Sequence, residues 1–328
     1  MGNTSFQIAV ERYPLASAFV ISRGAKTEAA VVVVTLQRDG IVGRGECVPY
    51  ARYGESLENV YAALESVRAQ IEAGADRTLL QSLLPAGAAR NALDCALWDL
   101  DAKRLELRAW DLAGLHRISP ATTAYTLSVG TPETMFEAAR KAADRPLLKI
   151  KLAGDGDPER LQAVRKGAPD ADLIVDANEA WREDQLESHL KVCADLGVLL
   201  VEQPLPAGCD SALANIAHLV PICADESVHT RDGLKDLRTR YDAINIKLDK
   251  TGGLTEALLV ADEAERLGFA LFVGCMVGTS LGMAPALLLT ARARFVDLDG
   301  PLLLAADRDH GLRYEGSIVY PPSRELWG

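Results

Sequence analysis

Five charged residues end successive apolar runs in the second half of the chain. Asp176, Glu202 and Asp225 follow one another at intervals of 26 and 23 residues, and Lys247 comes 22 residues later. Lys151 ends the run before Asp176. Each interval suits one strand and one helix, and residues at the carboxyl ends of parallel barrel strands meet at one mouth. We therefore predict that the five side chains converge there.

The three carboxylates predict a metal site. Asp176, Glu202 and Asp225 would form an oxygen cage without histidine or cysteine, which suits Mg²⁺. The alternative is that these residues only cap the helices that follow, as Asp225-Glu226-Ser227 could. Three carboxylates in succession favour the metal site.

The lysines predict proton transfer. Lys149 and Lys151 are two residues apart on a strand, so both side chains point into the barrel. A neighbouring cation lowers the pKa of each lysine towards a value useful for a base. Lys247 lies four strands further round a ring of eight, so Lys151 and Lys247 would face each other. Opposed bases beside a metal suit removal of a proton next to a carboxylate and its return to the other face.

The elements that position these residues are eight apolar runs. Continuous runs of Val, Ile and Leu indicate strands covered on both faces, and the count of eight favours a (β/α) barrel over a doubly wound sheet. The predicted strands span residues 123–129, 147–152, 172–176, 198–202, 221–224, 243–247, 270–274 and 295–298.

The first third of the chain lacks this alternation of apolar runs and amphipathic stretches. A strand-like run at 29–36 with polar turns after it predicts a hairpin, and helices are predicted over 55–73 and 88–113. Tyr50, Arg52 and Tyr53 follow the hairpin and could shape a pocket. We interpret this first third as an α+β unit.

Bulk properties exclude several classes of protein. The 328 residues are 48% hydrophobic, enough for a large core, and the formal net charge of −11 argues against nucleic acid and anionic membranes as partners. No apolar run is long enough to span a bilayer, and no signal segment is evident. Six scattered cysteines fit neither a disulfide framework nor a zinc site, so we expect a soluble, cytoplasmic protein.

The strand-end residues resemble those of the muconate-lactonizing-enzyme subgroup of the enolase superfamily. The similarity covers essentially the whole chain. It is carried by Lys149-Ile150-Lys151, Asp176-Ala177-Asn178, Glu202-Gln203-Pro204, Asp225-Glu226-Ser227 and Asn245-Ile246-Lys247. This resemblance implies a modified (β/α)7β barrel over 119–306, an N-terminal α+β capping domain over 1–118, and a C-terminal segment, 307–328, that returns to the cap.

Asp297-Leu298-Asp299-Gly300 ends the eighth run and resembles the dipeptide epimerases, chiefly the L-Ala-D/L-Glu epimerases. The resemblance implies that Asp297 and Asp299 hold the ammonium group of a dipeptide. Without the other motifs, Asp-Gly would be an ordinary turn after a strand.

The same resemblance assigns the remaining roles. It implies that Lys151 and Lys247 are the acid and base, and that Lys149 and Thr126 contact substrate. A cap loop at 22–26 would bring a cation to the substrate side-chain carboxylate, and either Arg23 or Lys26 could fill that role. We also expect backbone groups around Cys275 to contact substrate.

We therefore predict a Mg²⁺-dependent dipeptide epimerase of the L-Ala-D/L-Glu type, with one Mg²⁺ per subunit and a role in recycling cell-wall peptides. N-acylamino acid racemases, o-succinylbenzoate synthases and cycloisomerases share the metal and lysines and stay as alternatives. The sequence leaves the exact dipeptide and the oligomeric state, a homo-oligomer included, open.

An alternative from another class is a serine hydrolase. Gly278-Thr279-Ser280-Leu281-Gly282 matches the nucleophile-elbow pattern, and Asp297 and His310 follow in hydrolase order. Only 48 residues follow Ser280, however, and the strand-end carboxylates and lysines would be unexplained.

Overall fold

The computed structural model describes residues 4–115 and 117–328. The N-terminal part begins with a three-stranded antiparallel sheet in the order β1-β2-β3, with β1 at Ser5–Ile21, β2 at Gly24–Arg38 and β3 at Ile41–Cys47. The predicted hairpin, β2–β3, is confirmed. Strand β1 was not predicted, because it is a largely exposed edge strand whose sequence lacks a long apolar run.

Five helices complete the cap. They are α1 (Leu57–Ser66), α2 (Arg68–Glu72), α3 (Arg77–Leu83), α4 (Ala88–Arg104) and α5 (Ala109–Leu112). The prediction of one helix over 55–73 is wrong, since Val67 leaves the helical region at φ −106°, ψ 4°. The helix predicted to run to residue 113 ends at Arg104, because Glu106 adopts a left-handed φ of 57°.

Helix α4 lies directly on strand β3. An added Cβ at Gly43 would come within 2.5 Å of the backbone at Ala96 and Leu100, and one at Gly45 within 2.1 Å of Ala92 O. Only glycine permits this approach. The helix thus covers the sheet and forms the core of the cap.

After a short strand, β4 (Ala121–Thr122), come the eight parallel strands of the barrel, and all eight predicted runs are confirmed. They are β5 (Tyr125–Leu127), β6 (Leu147–Lys151), β7 (Asp172–Asp176), β8 (Val198–Glu202), β9 (Ile222–Ala224), β10 (Ala243–Ile246), β11 (Ala270–Gly274) and β12 (Phe295–Asp297). Neighbours along the chain are neighbours in the sheet. The Ala124 N–H donates to Val296 O at 2.7 Å and bridges the first and last strands.

Helices cover the outside of the barrel, and short 3₁₀ turns at 183–185, 211–215 and 287–292 complete several connections. The helices are α6 (Pro132–Lys141), α7 (Asp157–Gly167), α8 (Leu186–Asp195), α9 (Leu234–Leu237), α10 (Leu248–Thr251), α11 (Leu254–Arg266), α12 (Ser280–Ala286) and α13 (Gly300–Leu303). The last strand is followed only by the single turn of α13, as expected for a modified barrel. Across the described ranges, no helix has the length and apolar character needed to cross a membrane.

An apolar layer fills the interior of the barrel below its mouth. Ile174, Leu200, Phe272 and Phe295 belong to this buried cluster, and the two phenylalanine rings pack edge to face at 6.2 Å. Bulky side chains close the barrel here, so it is a packed core and not a pore. Polar side chains are left to gather above, at the carboxyl ends of the strands.

The C-terminal segment contacts the cap. Strand β13 (Tyr314–Glu315) pairs with β14 (Ile318–Val319), which in turn pairs with β4, and the chain then continues to helix α4. There Trp327 Nε1 donates to Cys95 O at 3.0 Å, and the Gly328 N–H donates to Asp99 Oδ1 at 2.6 Å. These contacts agree with the expected course of residues 307–328, and the division at 118/119 and 306/307 stays a prediction.

Candidate active site

Asp176, Glu202 and Asp225 meet at the mouth of the barrel. One carboxylate oxygen from each lies within 4.8 Å of the other two, and all three side chains are buried. Asp176 and Glu202 are the last residues of β7 and β8 and are paired in register, and Asp225 directly follows β9. The strand ends therefore place the three carboxylates together as the sequence predicts.

The chemistry of this cluster fits a divalent cation. Its donors are carboxylate oxygens, the ligands that Mg²⁺ prefers. Glu202 Oε2 is buried and accepts no well-aligned hydrogen bond, although Lys149 Nζ lies 2.7 Å away. Burial and the two neighbouring carboxylates raise the pKa of Glu202 to about 7. A bound cation would relieve the mutual repulsion of these three carboxylates.

Lys149 is buried among carboxylates. Its Nζ donates to Asp297 Oδ2 at 2.8 Å and lies 2.7 Å from Glu202 and 3.4 Å from Asp176. Burial lowers the pKa of Lys149, but these three carboxylates outweigh that effect and hold the pKa well above its usual value. The expectation that a neighbouring cation depresses the pKa of this lysine is therefore wrong for the arrangement observed. Lys149 is a fixed cation.

Lys151 and Lys247 each contact one carboxylate of the cluster. Lys151 Nζ donates to Asp176 Oδ2 and Lys247 Nζ donates to Asp225 Oδ2, both at 2.6 Å. Lys151 ends β6 and Lys247 directly follows β10, so four of the eight strand positions separate them. Burial lowers the pKa of Lys247, but Asp225 and Glu202 raise it overall. The two lysines thus approach the mouth from opposite sides of the ring.

Asp297 and Asp299 lie at the end of the last strand, beside Lys149. Asp297 Oδ1 is buried and has no hydrogen-bond partner among the described residues. Asp299 Oδ2 accepts the Thr126 backbone N–H at 2.7 Å, which places Thr126 behind the pair. Burial and the charge of Asp297 raise the pKa of Asp299 to about 7. Asp297 Oδ1 is thus an acceptor that a second cationic group could satisfy.

The cap closes over the mouth and leaves a cavity of about 630 Å³ between the two parts of the chain. Its walls combine apolar, cationic and acidic side chains. The residues lining it include Phe19, Ile21, Arg23, Lys26, Tyr50, Lys151, Asp225, Lys247, Cys275 and Met276. The cavity therefore brings both lysines, the Cys275 segment and the cap loop to one space.

Arg23 is anchored to the barrel and to the cap. Its guanidinium donates to Glu226 Oε1 at 2.7 Å, to the Asn178 carbonyl at 2.8 Å and to the Tyr50 hydroxyl at 2.8 Å. The Lys26 ammonium lies 5.3 Å from the centre of the Tyr50 ring. Both cations of the cap loop thus border the cavity.

Ser280 lies in a different environment from the one that a hydrolase requires. It is fully buried, its Oγ donates to Asp307 Oδ2 and accepts the Leu312 N–H at 2.8 Å, and Asp297 is paired with Lys149. Among the residues that the structure describes, no histidine contacts the Ser280 hydroxyl. The nucleophile-elbow interpretation is therefore wrong, and Ser280 connects the barrel to the C-terminal segment.

Sequence reasoning assigned no role to several residues that support the site. Glu226 holds Arg23, and Lys250 donates to Asp225. Gln203 Oε1 accepts the N–H groups of Asp225 and Ser227 at 2.8 and 3.1 Å. Each belongs to a strand-end motif or lies one helical turn beyond it. Their proximity in sequence to the predicted site residues could therefore have indicated a supporting role.

Comparison with family models and curated proteins places the chain among known enzymes. Residues 134–318 match the enolase C-terminal domain-like family and residues 3–114 match the mandelate racemase / muconate lactonizing enzyme N-terminal domain. The chain is 52% identical to the L-Ala-D/L-Glu epimerase of Escherichia coli (strain K12), over 93% of this chain and 95% of that protein. It is 44% identical to an N-acetyl-D-glutamate racemase of Pseudoalteromonas sp., over 91% and 95%.

Comparison with solved structures leads to the same group of enzymes. An enolase family member from Agrobacterium tumefaciens with bound sodium and L-Ala-L-Glu is 56% identical, with a TM-score of 0.98 over 99% of this chain and 100% of that one. A dipeptide epimerase from Methylococcus capsulatus complexed with Mg and L-Arg-D-Lys is 32% identical, with a TM-score of 0.91 over 99% and 98%. The chain belongs to the mandelate racemase / muconate lactonizing enzyme family of the enolase superfamily.

Proposed function

We propose that the protein is a Mg²⁺-dependent dipeptide epimerase of the L-Ala-D/L-Glu type, which inverts the α-carbon of the C-terminal residue. The observation that carries this proposal is the placement of Lys151 and Lys247. They lie on opposite sides of the barrel mouth, and each contacts a carboxylate of the metal site. Two opposed nitrogen bases are what inversion at one carbon requires, since one takes the proton and the other returns it.

Asp176, Glu202 and Asp225 would hold the cation. When bound, Mg²⁺ stabilises the negative charge that develops on the substrate carboxylate as the α-proton leaves. Because that proton is a very weak acid, this charge dominates the barrier. The fixed ammonium of Lys149, beside the same carboxylates, adds to the positive field at this end of the site.

The lysines move the proton. For one direction of reaction, the Nζ of one lysine takes the proton from the α-carbon and the electron pair of that C–H bond passes onto the carboxylate. The electron pair then returns from the carboxylate to the carbon and forms a new C–H bond with a proton from the ammonium of the opposite lysine, on the other face. The reverse reaction exchanges these roles, so each lysine serves one configuration of the substrate.

Asp297 and Asp299 would bind the ammonium group at the N-terminus of the dipeptide. Asp297 Oδ1, which is buried without a partner, supports this assignment because a cation there would satisfy it. Thr126 contributes by fixing Asp299 through its backbone N–H and by its predicted contact with substrate. Backbone groups near Cys275 complete the pocket.

The cap loop would bind the side-chain carboxylate of the C-terminal residue. Arg23 lines the cavity, and we propose it as the principal cation of this subsite, with Lys26 beside it. The positive charge of its guanidinium suits a carboxylate, and hydrogen bonds to Asn178, Glu179, Tyr50 and Glu226 hold that charge at the cavity wall. This interaction would favour glutamate over apolar residues at the C-terminal position.

A second candidate function is racemization of an N-acylamino acid. The similarity to an N-acetyl-D-glutamate racemase supports it, and that chemistry needs the same metal and lysines. An N-acyl group carries no ammonium, however, so Asp297 Oδ1 and Asp299 would receive no cation from the substrate. The other two alternatives from the same superfamily are o-succinylbenzoate synthase and cycloisomerase. Their substrates also carry no ammonium group for Asp297 and Asp299.

The test is exchange of the α-proton in D₂O. With Mg²⁺, L-Ala-L-Glu should gain one deuterium at the glutamate α-carbon and yield L-Ala-D-Glu, observed by NMR and mass spectrometry. N-acetyl-L-glutamate in a parallel reaction distinguishes the second candidate. The proposal fails if neither L-Ala-L-Glu nor a library of other dipeptides exchanges.

We also propose that the enzyme works in the cytoplasm and recycles cell-wall peptides. All six cysteines are free thiols, and four of them are buried. Free thiols persist in a reducing compartment. An L-Ala-D/L-Glu substrate implies a parent peptide that contains both L and D residues, as a cell-wall peptide does.

A further inference from the structure

A buried lysine that the proposed mechanism does not use lies directly behind the metal site. Lys250 is in α10, three residues after Lys247, and only 1% of it is exposed. Its ammonium donates to Asp225 Oδ1 at 2.5 Å, to the Asp225 carbonyl at 2.6 Å and to the Asn245 carbonyl at 2.9 Å. A lysine ammonium has three N–H donors, so all three are occupied.

These contacts separate Lys250 from proton transfer. Lys151 and Lys247 line the substrate cavity, whereas Lys250 is not among the described residues that line it. With every N–H directed at a protein oxygen, Lys250 presents no donor to a substrate carbon. Its effect must therefore pass through the groups that it contacts.

Two of the three metal carboxylates depend on these contacts. Lys250 holds one oxygen of Asp225 while Lys247 contacts the other at 2.6 Å, so the plane of that carboxylate is fixed from both sides. Asn245, whose carbonyl accepts from Lys250, donates its side-chain amide to Glu202 Oε1 at 2.7 Å. Gly274 leaves room for this amide, because a Cβ at that position would lie 2.5 Å from Asn245 Oδ1.

Lys250 has two opposing effects on a divalent cation. Its positive charge repels the cation, and its hydrogen bonds keep Asp225 and Glu202 in fixed orientations. Partners of this kind behind metal ligands typically change metal affinity by about 10- to 100-fold when removed. Since all three donors serve to fix backbone and side-chain oxygens, orientation should outweigh repulsion.

We infer that Lys250 is a positioning residue whose ammonium orients Asp225 directly, and Glu202 through Asn245, for binding the divalent cation. This inference rests on the metal site of the proposed function and is independent of which dipeptide is the substrate. It predicts that Lys250 strengthens metal binding despite its charge.

The test is the affinity of the full-length protein for Mn²⁺, measured without substrate from the EPR signal of the free ion, with Mg²⁺ as competitor. Lys250→Met keeps an unbranched side chain that is one heavy atom shorter, and it removes the charge and the donors. We expect the dissociation constant to rise by about 10- to 100-fold. Lys191→Met is the matched control, because it removes an exposed lysine paired with Asp195 and should leave the constant unchanged.

The possible outcomes distinguish an orienting role of Lys250 from charge repulsion and from a purely structural role. Unchanged or tighter binding by folded Lys250→Met would overturn the inference, since charge would then outweigh orientation. A lower melting temperature in EDTA with an unchanged dissociation constant would mean a purely structural role and would overturn it too. If the wild-type protein bound neither ion, the metal site of the proposed function would fail instead.

A second variant tests the contact to Glu202 even if Lys250→Met does not fold. Asn245→Ser removes the amide that donates to Glu202 and leaves Lys250 and Asp225 in place. We expect Mn²⁺ binding to weaken roughly tenfold. Wild-type affinity in this variant would overturn the connection from Lys250 to Glu202.

Discussion

Arg23 of the cap and Glu226 of the barrel form an ion pair of 2.7 Å between residues 203 positions apart in sequence. Glu226 is buried and directly follows the carboxylate Asp225. Burial and the charges of Asp225 and Asp176 raise the pKa of Glu226 to about 7. The pair therefore joins the loop that would recognise substrate to the strand end that would hold the metal.

Replacement of Arg23 should remove the preference for an acidic C-terminal residue. In Arg23→Gln, we expect kcat/KM for L-Ala-L-Glu to fall by about 30-fold or more, since a desolvated charge pair contributes about 2–5 kcal/mol. Turnover of L-Ala-L-Leu should change much less. Lys26→Gln in the same assay determines which cation matters, and equal losses for both dipeptides would contradict this role for Arg23.

Replacement of either opposed lysine should greatly slow epimerization and leave α-proton exchange from only one epimer. We expect Lys151→Ala and Lys247→Ala each to lower kcat by about 10²–10⁴-fold, the usual contribution of a positioned base. Each variant should retain slow α-proton exchange in D₂O with only one of L-Ala-L-Glu and L-Ala-D-Glu, and the two variants should differ in which one. Exchange of both epimers by one variant would contradict the opposed arrangement.

Asp297 should be the residue that distinguishes a free ammonium from an acylated nitrogen. In Asp297→Asn, the neutral amide can no longer compensate a substrate cation, so KM for L-Ala-L-Glu should rise about tenfold or more. Mn²⁺ affinity should stay near the wild-type value, because Asp297 lies outside the three-carboxylate cluster. N-acetyl-L-glutamate measured alongside gives the comparison, and a parallel loss for both substrates would contradict this role.

Asp249 should make stability depend on pH. It is half-buried between cap and barrel, where its Oδ1 accepts the Val48 N–H at 3.0 Å and the Asn91 amide at 2.8 Å. Burial raises its pKa from 3.8 to about 7. The folded protein therefore holds this proton more tightly than the unfolded chain, so stability falls as pH rises from about 4 to 7.

Asp249→Asn keeps the oxygen acceptor and removes the titration. We expect its melting temperature, relative to wild type, to be higher at pH 8 than at pH 5, by about 2 °C for each kcal/mol involved. Calorimetry in EDTA at both pH values measures this difference. An equal shift at the two pH values would mean that Asp249 does not titrate in this range.

The sequence by itself determined the barrel and the chemistry at its mouth. All eight strands could be predicted, because strands covered by helices on both faces are continuous apolar runs. Asp176, Glu202 and Asp225 could be placed together because parallel strands all end at the same mouth. Each interval between these residues matches one strand-helix unit, so their spacing along the chain predicts that they lie on neighbouring strands.

The tertiary structure decided what joins distant segments. The partner of Arg23 is 203 residues away, and the three oxygens around Lys250 come from two different strand ends. The break at Val67 and the edge strand β1 likewise depend on how the cap packs. Such contacts depend on loop paths and on packing between the cap and the barrel, for which a linear sequence has no periodic signal.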